Sequence, residues 1–206
     1  MTPNVSPSAP PVILASASQS RARILKDAGV FCAAEPAYID EGSIKESLQA
    51  EGADALAVAE TLAELKAVKI SRSHPQSLVI GADSILDLNG VWFDKPVDME
   101  HAKAHLMALR GQTHSLATAV VVALGGARIW HFRDQPSLTM RNFSDAYLDQ
   151  YIDSVGDAIL SSVGAYHLEG LGVQLFDRIE GDFFSILGLP LLPLLGFLRE
   201  HQVVLP

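Results

Sequence analysis

An apolar run that ends in an acidic residue constrains the fold of this chain more than any other stretch. The segment Leu78–Ala82 carries no charge, and it predicts a strand buried on both faces, because strands covered on both sides of a sheet read as continuous apolar runs. Asp83 follows directly. Ligands of open α/β sheets bind just beyond the carboxyl ends of strands. Asp83 is therefore a candidate base or metal ligand, and an acidic residue that starts a turn is the alternative.

The rest of the chain alternates strand-like and helical patterns, which predicts an α/β fold. With 206 residues, 49% of them hydrophobic, the chain can bury a core as one domain or one domain with two lobes. No repeat or linker is visible, so one domain is expected over residues 11–206. Residues 1–10, rich in Pro, Ser and Ala, are predicted to be a disordered tail.

Periodicity and capping signals place the individual elements. The predicted strands are Val12–Ala15, Leu78–Ala82, Ile85–Leu88, Val91–Phe93, Thr113–Leu124, Ile129–Arg133, Leu138–Phe143, Ala165–Leu168 and Gln174–Ile179. One predicted helix ends at Ala28. The other predicted helices span Asp54–Ile70, Asp98–Leu109, Ser144–Tyr151 and Leu189–Glu200. Asn89-Gly90 predicts a tight type I′ hairpin.

Charge and composition exclude several classes of protein. Fifteen Lys and Arg against 24 Asp and Glu give a net charge of −9, which disfavours binding to nucleic acid but leaves a small anionic substrate compatible. The start of the chain has no signal-peptide pattern. The strongly apolar uncharged run Phe183–Leu198 is shorter than the ~20 residues that span a bilayer. The single cysteine, Cys32, excludes an intrachain disulfide. We expect a cytoplasmic protein without membrane contact, and Phe183–Leu198 is either core or the surface of a homodimer.

The first turn between strand and helix has the composition of an anion site. Ser16, Ser18 and Ser20 supply hydroxyl groups at a helix start, where free backbone N–H groups and the helix dipole favour an anion. Arg21 adds a bidentate donor suited to phosphate. Simple helix capping by the serines is the alternative.

Four further residues extend the same chemistry. Lys66, on a predicted helix, and Lys95, after the hairpin, would neutralise phosphate. Glu41 and Asp83 would hold a divalent cation and activate water. Metal-assisted hydrolysis of a phosphoanhydride is the reaction that such a set performs.

The sequence resembles the Maf-like nucleoside triphosphate pyrophosphatases. That family carries, in order, the motifs L-A-S-x-S-P-R-R-x-x-L-L, G-A-D-T, K-P, S-G-x-T-H, A-G-A-Y-x-I-Q-G and G-x-x-x-x-V-V-G-L-P-L. The corresponding blocks here are Leu14–Leu25, Gly81–Ser84, Lys95-Pro96, Gly111–His114, Val163–Gly170 and Gly181–Leu191.

The resemblance implies a two-lobed α/β fold with an elongated mixed sheet, flanking helices and a central cleft. It implies hydrolysis of a nucleoside triphosphate to the monophosphate and pyrophosphate with Mg²⁺ or Mn²⁺. The family's proton acceptor falls on Asp83, its loop acid on Glu41 and its K-P lysine on Lys95. Its phosphate-binding residues fall on Ser16, Arg21 and Lys66.

Three positions depart from the family motifs. Ser20 replaces an arginine, Ser84 a threonine and Glu169 a glutamine. In the family these positions tune the choice of base: the branch that prefers dTTP and UTP carries Arg, Thr and Gln, and a 7-methyl-GTP branch carries an aromatic residue, Gln and Glu. This chain fits neither branch. A glutamate accepts from the N–H edge of a purine such as guanine, which favours a noncanonical or modified purine as substrate.

Two other functions stay open on the sequence alone. The family resemblance also suggests a non-enzymatic regulator of septum formation in cell division, and the missing first arginine supports that alternative. A module that binds nucleotides without turnover is the third.

Overall fold

Two long antiparallel strands form the centre of the sheet. In the computed structural model, which describes residues 9–205, β3 pairs with β5 from Val79–Ala123 through Asp87–Ser115. The sheet has eight strands in the order β2-β1-β3-β5-β7-β8, with β4 paired to β3 and β6 to β5. The strands are β1 (Val12–Leu14), β2 (Ala33–Ala34), β3 (Leu78–Leu88), β4 (Val91–Phe93), β5 (Thr113–Leu124), β6 (Ala127–Asp134), β7 (Ser137–Met140) and β8 (Phe176–Glu180).

Within residues 9–205, seven α-helices flank this mixed sheet. They are α1 (Gln19–Asp27), α2 (Glu41–Ala50), α3 (Ala55–Ser73), α4 (Met99–Leu109), α5 (Asp145–Val155), α6 (Phe183–Ile186) and α7 (Leu191–Glu200). Two 3-10 helices, Gly156–Ser161 and Leu171–Leu175, lie on either side of a turn segment. The prediction of an α/β fold with an elongated mixed sheet is confirmed. The predicted disordered tail falls mostly on residues 1–8, which lie outside the described residues.

The neighbours of β3 and β5 change along their length, and this divides the fold into two lobes. Parallel β1 pairs with β3 only as far as Leu14–Ile80, whereas β4 pairs with the far end of β3. On β5, β6 pairs with Thr118–Leu124 and β7 with Thr113–Ser115. The change of neighbours falls around Asp83, so this residue lies where the two lobes meet.

Three apolar clusters make up the core. Helices α1 and α7 cover one face of the first lobe, with Leu25 and Leu198 packed on Ile80. Helix α3 covers the other face, where Leu62 packs with residues of β3 and β5. The second lobe is centred on Leu106 with residues of α5 and β7.

Several sequence predictions need correction. The strand predicted to end before Asp83 runs on through Leu88, so Asp83 lies inside β3 and not at its carboxyl end. It lies instead just past the end of neighbouring β1, which explains why a strand interior contains a site. The predicted strand Ala165–Leu168 is a turn segment, because Ala165 has a φ of 54°. Glu41 was predicted in a loop but is the first residue of α2.

The hairpin and the closing segment follow their sequence signals more closely. Asn89 and Gly90 have φ values of 54° and 88°, as a type I′ turn requires. Pro190 caps the closing helix, one residue before the helix begins. Most of the apolar side chains of α7 are buried in the core, although Leu192 is exposed. Across residues 9–205, no helix is both long and apolar enough to span a membrane.

Candidate active site

An ammonium group bridges two carboxylates at the junction of the lobes. Lys66 Nζ lies 2.6 Å from Asp83 Oδ1 and 2.8 Å from Glu41 Oε1. Lys66 and Asp83 are buried, and Glu41 is partly exposed at the mouth. The second oxygen of Asp83, Oδ2, is buried without a hydrogen-bond partner within the described residues. Asp83 therefore keeps one acceptor free for a group that enters the cleft.

Helix α3 packs unusually close to β3, and this places the bridging lysine. A Cβ on Gly81 would collide with the carbonyl oxygen of Ala63 and would lie 2.9 Å from Ala67 Cβ. Only a glycine allows the helix backbone this near the strand. Lys66 lies on the turn between those two alanines, so its side chain reaches Asp83 two residues along the strand from Gly81.

The N-cap of α2 fixes the position of Glu41. Asp40 accepts a hydrogen bond from the backbone N–H of Ser43 and starts α2, which sets Glu41 in the first turn, facing Lys66. The side-chain and backbone hydrogen bonds from Ser43 lower the pKa of Asp40, so the cap is a carboxylate at neutral pH.

Arg21 is held by three elements at once. Its Nε donates to the carbonyl of Gly188 at 2.7 Å, and its two Nη groups donate to Ser16 Oγ and Ser84 Oγ, each at 3.3 Å. Burial lowers the pKa of Arg21, while the negative charges of Asp83 and Glu41 oppose that shift. The guanidinium is thus fixed in the cleft wall. Ser16, predicted to bind phosphate, contributes by holding it.

The serines at the start of α1 have different roles. Ser18 is the N-cap of α1 and accepts from the backbone N–H of Arg21. The capping alternative therefore holds for Ser18, and the hydroxyl also faces the cleft. Ser20 lies in the first turn of α1 and lines the same space. Ser84 accepts from Thr118 Oγ1 at 3.1 Å as well as from Arg21.

Sequence reasoning missed a second ion pair that involves a lysine of the cleft. Lys45 Nζ lies 2.6 Å from Asp94 Oδ1, which ties α2 to the loop that carries Lys95. Burial lowers the pKa of Lys45, but the hydrogen bond to Asp94 and the nearby carboxylates outweigh burial and raise it overall. The spacing of Glu41 and Lys45, four residues apart, was the available signal, because it places both on one face of a helix.

Lys95 has no ion-pair or hydrogen-bond partner in the part of the chain that the structure describes. Burial and the positive charges of Arg21 and Lys66 lower its pKa, and together they outweigh the opposing charges of Glu41 and Asp83. Arg21 and Lys66 therefore repel the ammonium group of Lys95, and a bound anion would offset this repulsion.

These side chains share one cavity of about 440 Å³. Every residue predicted for catalysis, substrate binding or specificity lines it: Ser16, Ser18, Ser20, Arg21, Glu41, Lys66, Asp83, Ser84, Lys95 and Glu169. Apolar side chains such as Leu116, Tyr166 and Ile186 line it as well. The lining holds four cations, Arg21, Lys45, Lys66 and Lys95, and four carboxylates, Glu41, Asp83, Asp94 and Glu169. Lys45 and Lys66 are paired with carboxylates, which leaves Arg21 and Lys95 as the cations that can meet a phosphate group.

A buried hydrogen bond holds one of the residues that line the cavity, Tyr166. His114 Nε2 lies 2.9 Å from Tyr166 Oη, and both residues are almost fully buried. Burial lowers the pKa of His114 to about 4, so the ring is neutral at neutral pH. The pair fixes the ring of Tyr166 against the cavity.

Comparison with known proteins gives one family. A model described as Maf-like protein matches residues 11–201. The chain is 54% identical to a nucleoside triphosphate pyrophosphatase of Granulibacter bethesdensis, over 94% of this chain and 98% of that protein. It is 55% identical to a protein of the same name from Rhodospirillum rubrum, over 95% and 97%. A 7-methyl-GTP pyrophosphatase of Rhizobium etli is 48% identical over 93% and 96%. This chain belongs to the Maf-like protein family.

Proposed function

We propose that this protein is a nucleoside triphosphate pyrophosphatase, which hydrolyses its substrate to the monophosphate and pyrophosphate. One observation carries the proposal: the Lys66-bridged carboxylates Asp83 and Glu41 face Arg21 and Lys95 across one cavity. Phosphoryl transfer needs little covalent chemistry from a protein, and positioning with charge neutralisation supplies most of the catalysis. The names of the relatives fit this chemistry.

Asp83 is the proton acceptor in this proposal. Its Oδ1 is held by Lys66, and its Oδ2 is the buried acceptor without a partner, so a water between Oδ2 and a bound phosphate would donate its proton there. Lys66 holds the Asp83 carboxylate in one orientation through the 2.6 Å contact. The lysine therefore acts by positioning the base.

The donor set also fits a divalent cation. Mg²⁺ prefers oxygen ligands and commonly binds through one or two carboxylates together with substrate phosphates. The partly exposed Glu41 carboxylate is the side chain that would hold it together with the substrate phosphates, since Asp83 Oδ2 is the proton acceptor. A cluster of three or more His, Cys, Asp or Glu side chains does not occur within residues 9–205. When bound, Mg²⁺ or Mn²⁺ would neutralise phosphate charge and lower the pKa of water.

The remaining cations position the triphosphate. Arg21 presents a fixed guanidinium, and Lys95 supplies an exposed ammonium at the rim. Ser16 and Ser18 lie beside Arg21 at the start of α1, where the backbone N–H groups favour phosphate. An enzyme of free nucleotides belongs in the cytoplasm, binds neither nucleic acid nor membrane, and functions as a monomer or homodimer.

The direct test is release of pyrophosphate from a panel of canonical, methylated and deaminated nucleoside triphosphates with Mg²⁺ or Mn²⁺. We expect one pyrophosphate per monophosphate and complete loss of turnover in excess EDTA. Release of orthophosphate, or unchanged turnover in EDTA, would contradict the reaction or its metal dependence. A cell-division effect that persists in an inactive variant would support the regulatory alternative.

Arg21→Lys tests the fixed guanidinium. Lysine keeps the charge but loses the fork that binds Gly188, Ser16 and Ser84 together. We expect kcat/KM to fall about 10- to 100-fold, and we expect the melting temperature to fall as well, because hydrogen bonds that join three segments are lost. Arg199→Lys, on the exposed end of α7, is the matched control and should leave kcat/KM unchanged. Equal kcat/KM in the two variants would mean that charge alone suffices at residue 21.

A further inference from the structure

The ion pair between Lys45 and Asp94 joins the two lobes beside the cavity of about 440 Å³. Helix α2, which carries Lys45, belongs to the first lobe, because Ile44 and Leu48 pack against the core cluster under α3. Asp94 directly follows β4, and the last residue of that strand, Phe93, packs with the core cluster of the second lobe. Within residues 9–205, no other hydrogen bond or ion pair connects α2 to the segment between β4 and α4.

The two ends of this pair differ in burial. The side chain of Lys45 is 18% exposed, whereas that of Asp94 is 78% exposed. Lys45 lies one turn after Glu41, and residues four apart share one face of a helix, so both side chains line the cavity. The ammonium group therefore lies in the cavity wall, and it holds an exposed loop at Asp94.

The next residue in that loop is Lys95. It lines the same cavity, and it also lines a second cavity of about 820 Å³ that adjoins the first, whereas Lys45 and Asp94 line only the first. A lysine ammonium is a point charge on a flexible four-carbon chain. The space that it reaches depends on where its backbone is held, and the ion pair fixes the backbone one residue before it.

We propose that Lys45 and Asp94 are positioning residues that hold Lys95 where it meets the phosphate groups of the substrate, a role that rests on the proposed pyrophosphatase function. Asp83 is held separately, by Lys66 at 2.6 Å. Loss of the Lys45–Asp94 pair should therefore weaken phosphate binding and leave the proton acceptor in place. A displacement of about 1 Å in a group that binds substrate can lower a rate by about 100-fold, so even a loosened loop has a measurable effect.

The test removes one charge of the pair at a time, in Lys45→Met and in Asp94→Asn. We expect KM for the best nucleotide of the panel to rise about tenfold in each, with kcat within about threefold of the unaltered protein. The melting temperature should stay within about 2 °C, because an ion pair with an exposed partner contributes little to stability. A merely structural role would instead lower the folded fraction, and with it kcat, at an unchanged KM.

The double variant distinguishes positioning from charge. Each single change already breaks the same pair, so Lys45→Met/Asp94→Asn should match the single variants. If only charge mattered, Lys45→Met would raise KM, Asp94→Asn would lower it, and the double variant would restore it. If Lys45 itself bound phosphate, Asp94→Asn would leave KM unchanged or lower it. Either pattern would overturn the proposal.

A Lys95→Met background tests whether the pair acts through Lys95. In that background, Asp94→Asn should change KM by less than about twofold, because the group that the pair positions is already absent. A further tenfold rise in KM would overturn the proposal. Lys103→Met and Asp149→Asn are the matched controls, since they break an ion pair between α4 and α5 that lines neither cavity, and both should leave KM unchanged.

A binding measurement separates this proposal from the proposed function. Calorimetry with inorganic pyrophosphate and Mg²⁺ requires no turnover, and we expect Kd to rise about tenfold in Lys45→Met and in Asp94→Asn. Absence of nucleotide turnover together with this loss of affinity would overturn the enzyme and keep the positioning pair. An unchanged Kd in either variant, or absence of pyrophosphate binding by the unaltered protein, would overturn the pair.

Discussion

Asp83→Asn is expected to lower kcat for pyrophosphate release by about 10³-fold, because the amide keeps the shape of the side chain but removes the proton acceptor. The substitution leaves the buried ammonium group of Lys66 with an ion-pair partner. Lys66 keeps an ion pair with Glu41 at 2.8 Å, so its ammonium stays compensated when Asp83 is neutralised. We therefore expect the variant to fold and to bind nucleotide, with the loss confined to kcat.

Asp177→Asn is the matched control. It makes the same chemical change on an exposed position of β8 that lines neither cavity, and it should retain full turnover. Steady-state rates with the best nucleotide of the panel, together with nucleotide binding by calorimetry, measure both variants. Turnover by Asp83→Asn within threefold of the unaltered protein would rule out Asp83 as the base.

Gly81→Ala is expected to destabilise the folded protein strongly. The new Cβ would collide with the carbonyl of Ala63 and crowd Ala67, both of them backbone-anchored parts of α3, so the helix has to move away from β3. Forcing a group into a packed core costs about 3 kcal/mol of unfolding free energy, which for a chain of this length lowers the melting temperature by about 10 °C. Because Lys66 lies on the displaced turn, turnover should fall in parallel.

Gly196→Ala is the control for this experiment. Gly196 lies within α7, and a Cβ there meets nothing within 4 Å. Alanine favours a helix over glycine by about 1 kcal/mol, so this variant should melt at the same temperature or higher. Thermal unfolding followed by circular dichroism decides the comparison, and a melting temperature of Gly81→Ala within 2 °C of the unaltered protein would contradict the close packing.

The sequence singled out Asp83 as a candidate base or metal ligand, but it placed this residue wrongly, at the end of its strand. An apolar run that stops suggests a strand end, yet β3 continues because its next residues pair with both β4 and β5. Helix α2 was missed since it is short and exposes most of its surface, although Asp40 and the spacing of Ile44 and Leu48 were signals for it. Sequence patterns report on residues that are close along the chain. The length of β3 depends instead on strands that are close in space.

The anchoring of Arg21 shows the same limit at longer range. Its proposed role as a phosphate ligand rests on the composition of the first turn, but its fixed orientation depends on the carbonyl of Gly188, 167 residues away. Arg23, in the same helix, likewise pairs with Glu169, 146 residues away. Local patterns identify which side chains can bind an anion, and only the fold decides how rigidly each is held.

The unbroken course of β3 and β5 through both lobes has a mechanical consequence. Domains joined by loops can close around a ligand like a hinge, but here the walls of the cleft are attached to the same two paired strands, so bringing the lobes together would require bending a hydrogen-bonded ladder. The width of the opening is therefore set when the protein folds. Selection among nucleotides has to come from a rigid template with small adjustments at the rim, where Lys95 and the start of α2 lie, rather than from a large closing movement.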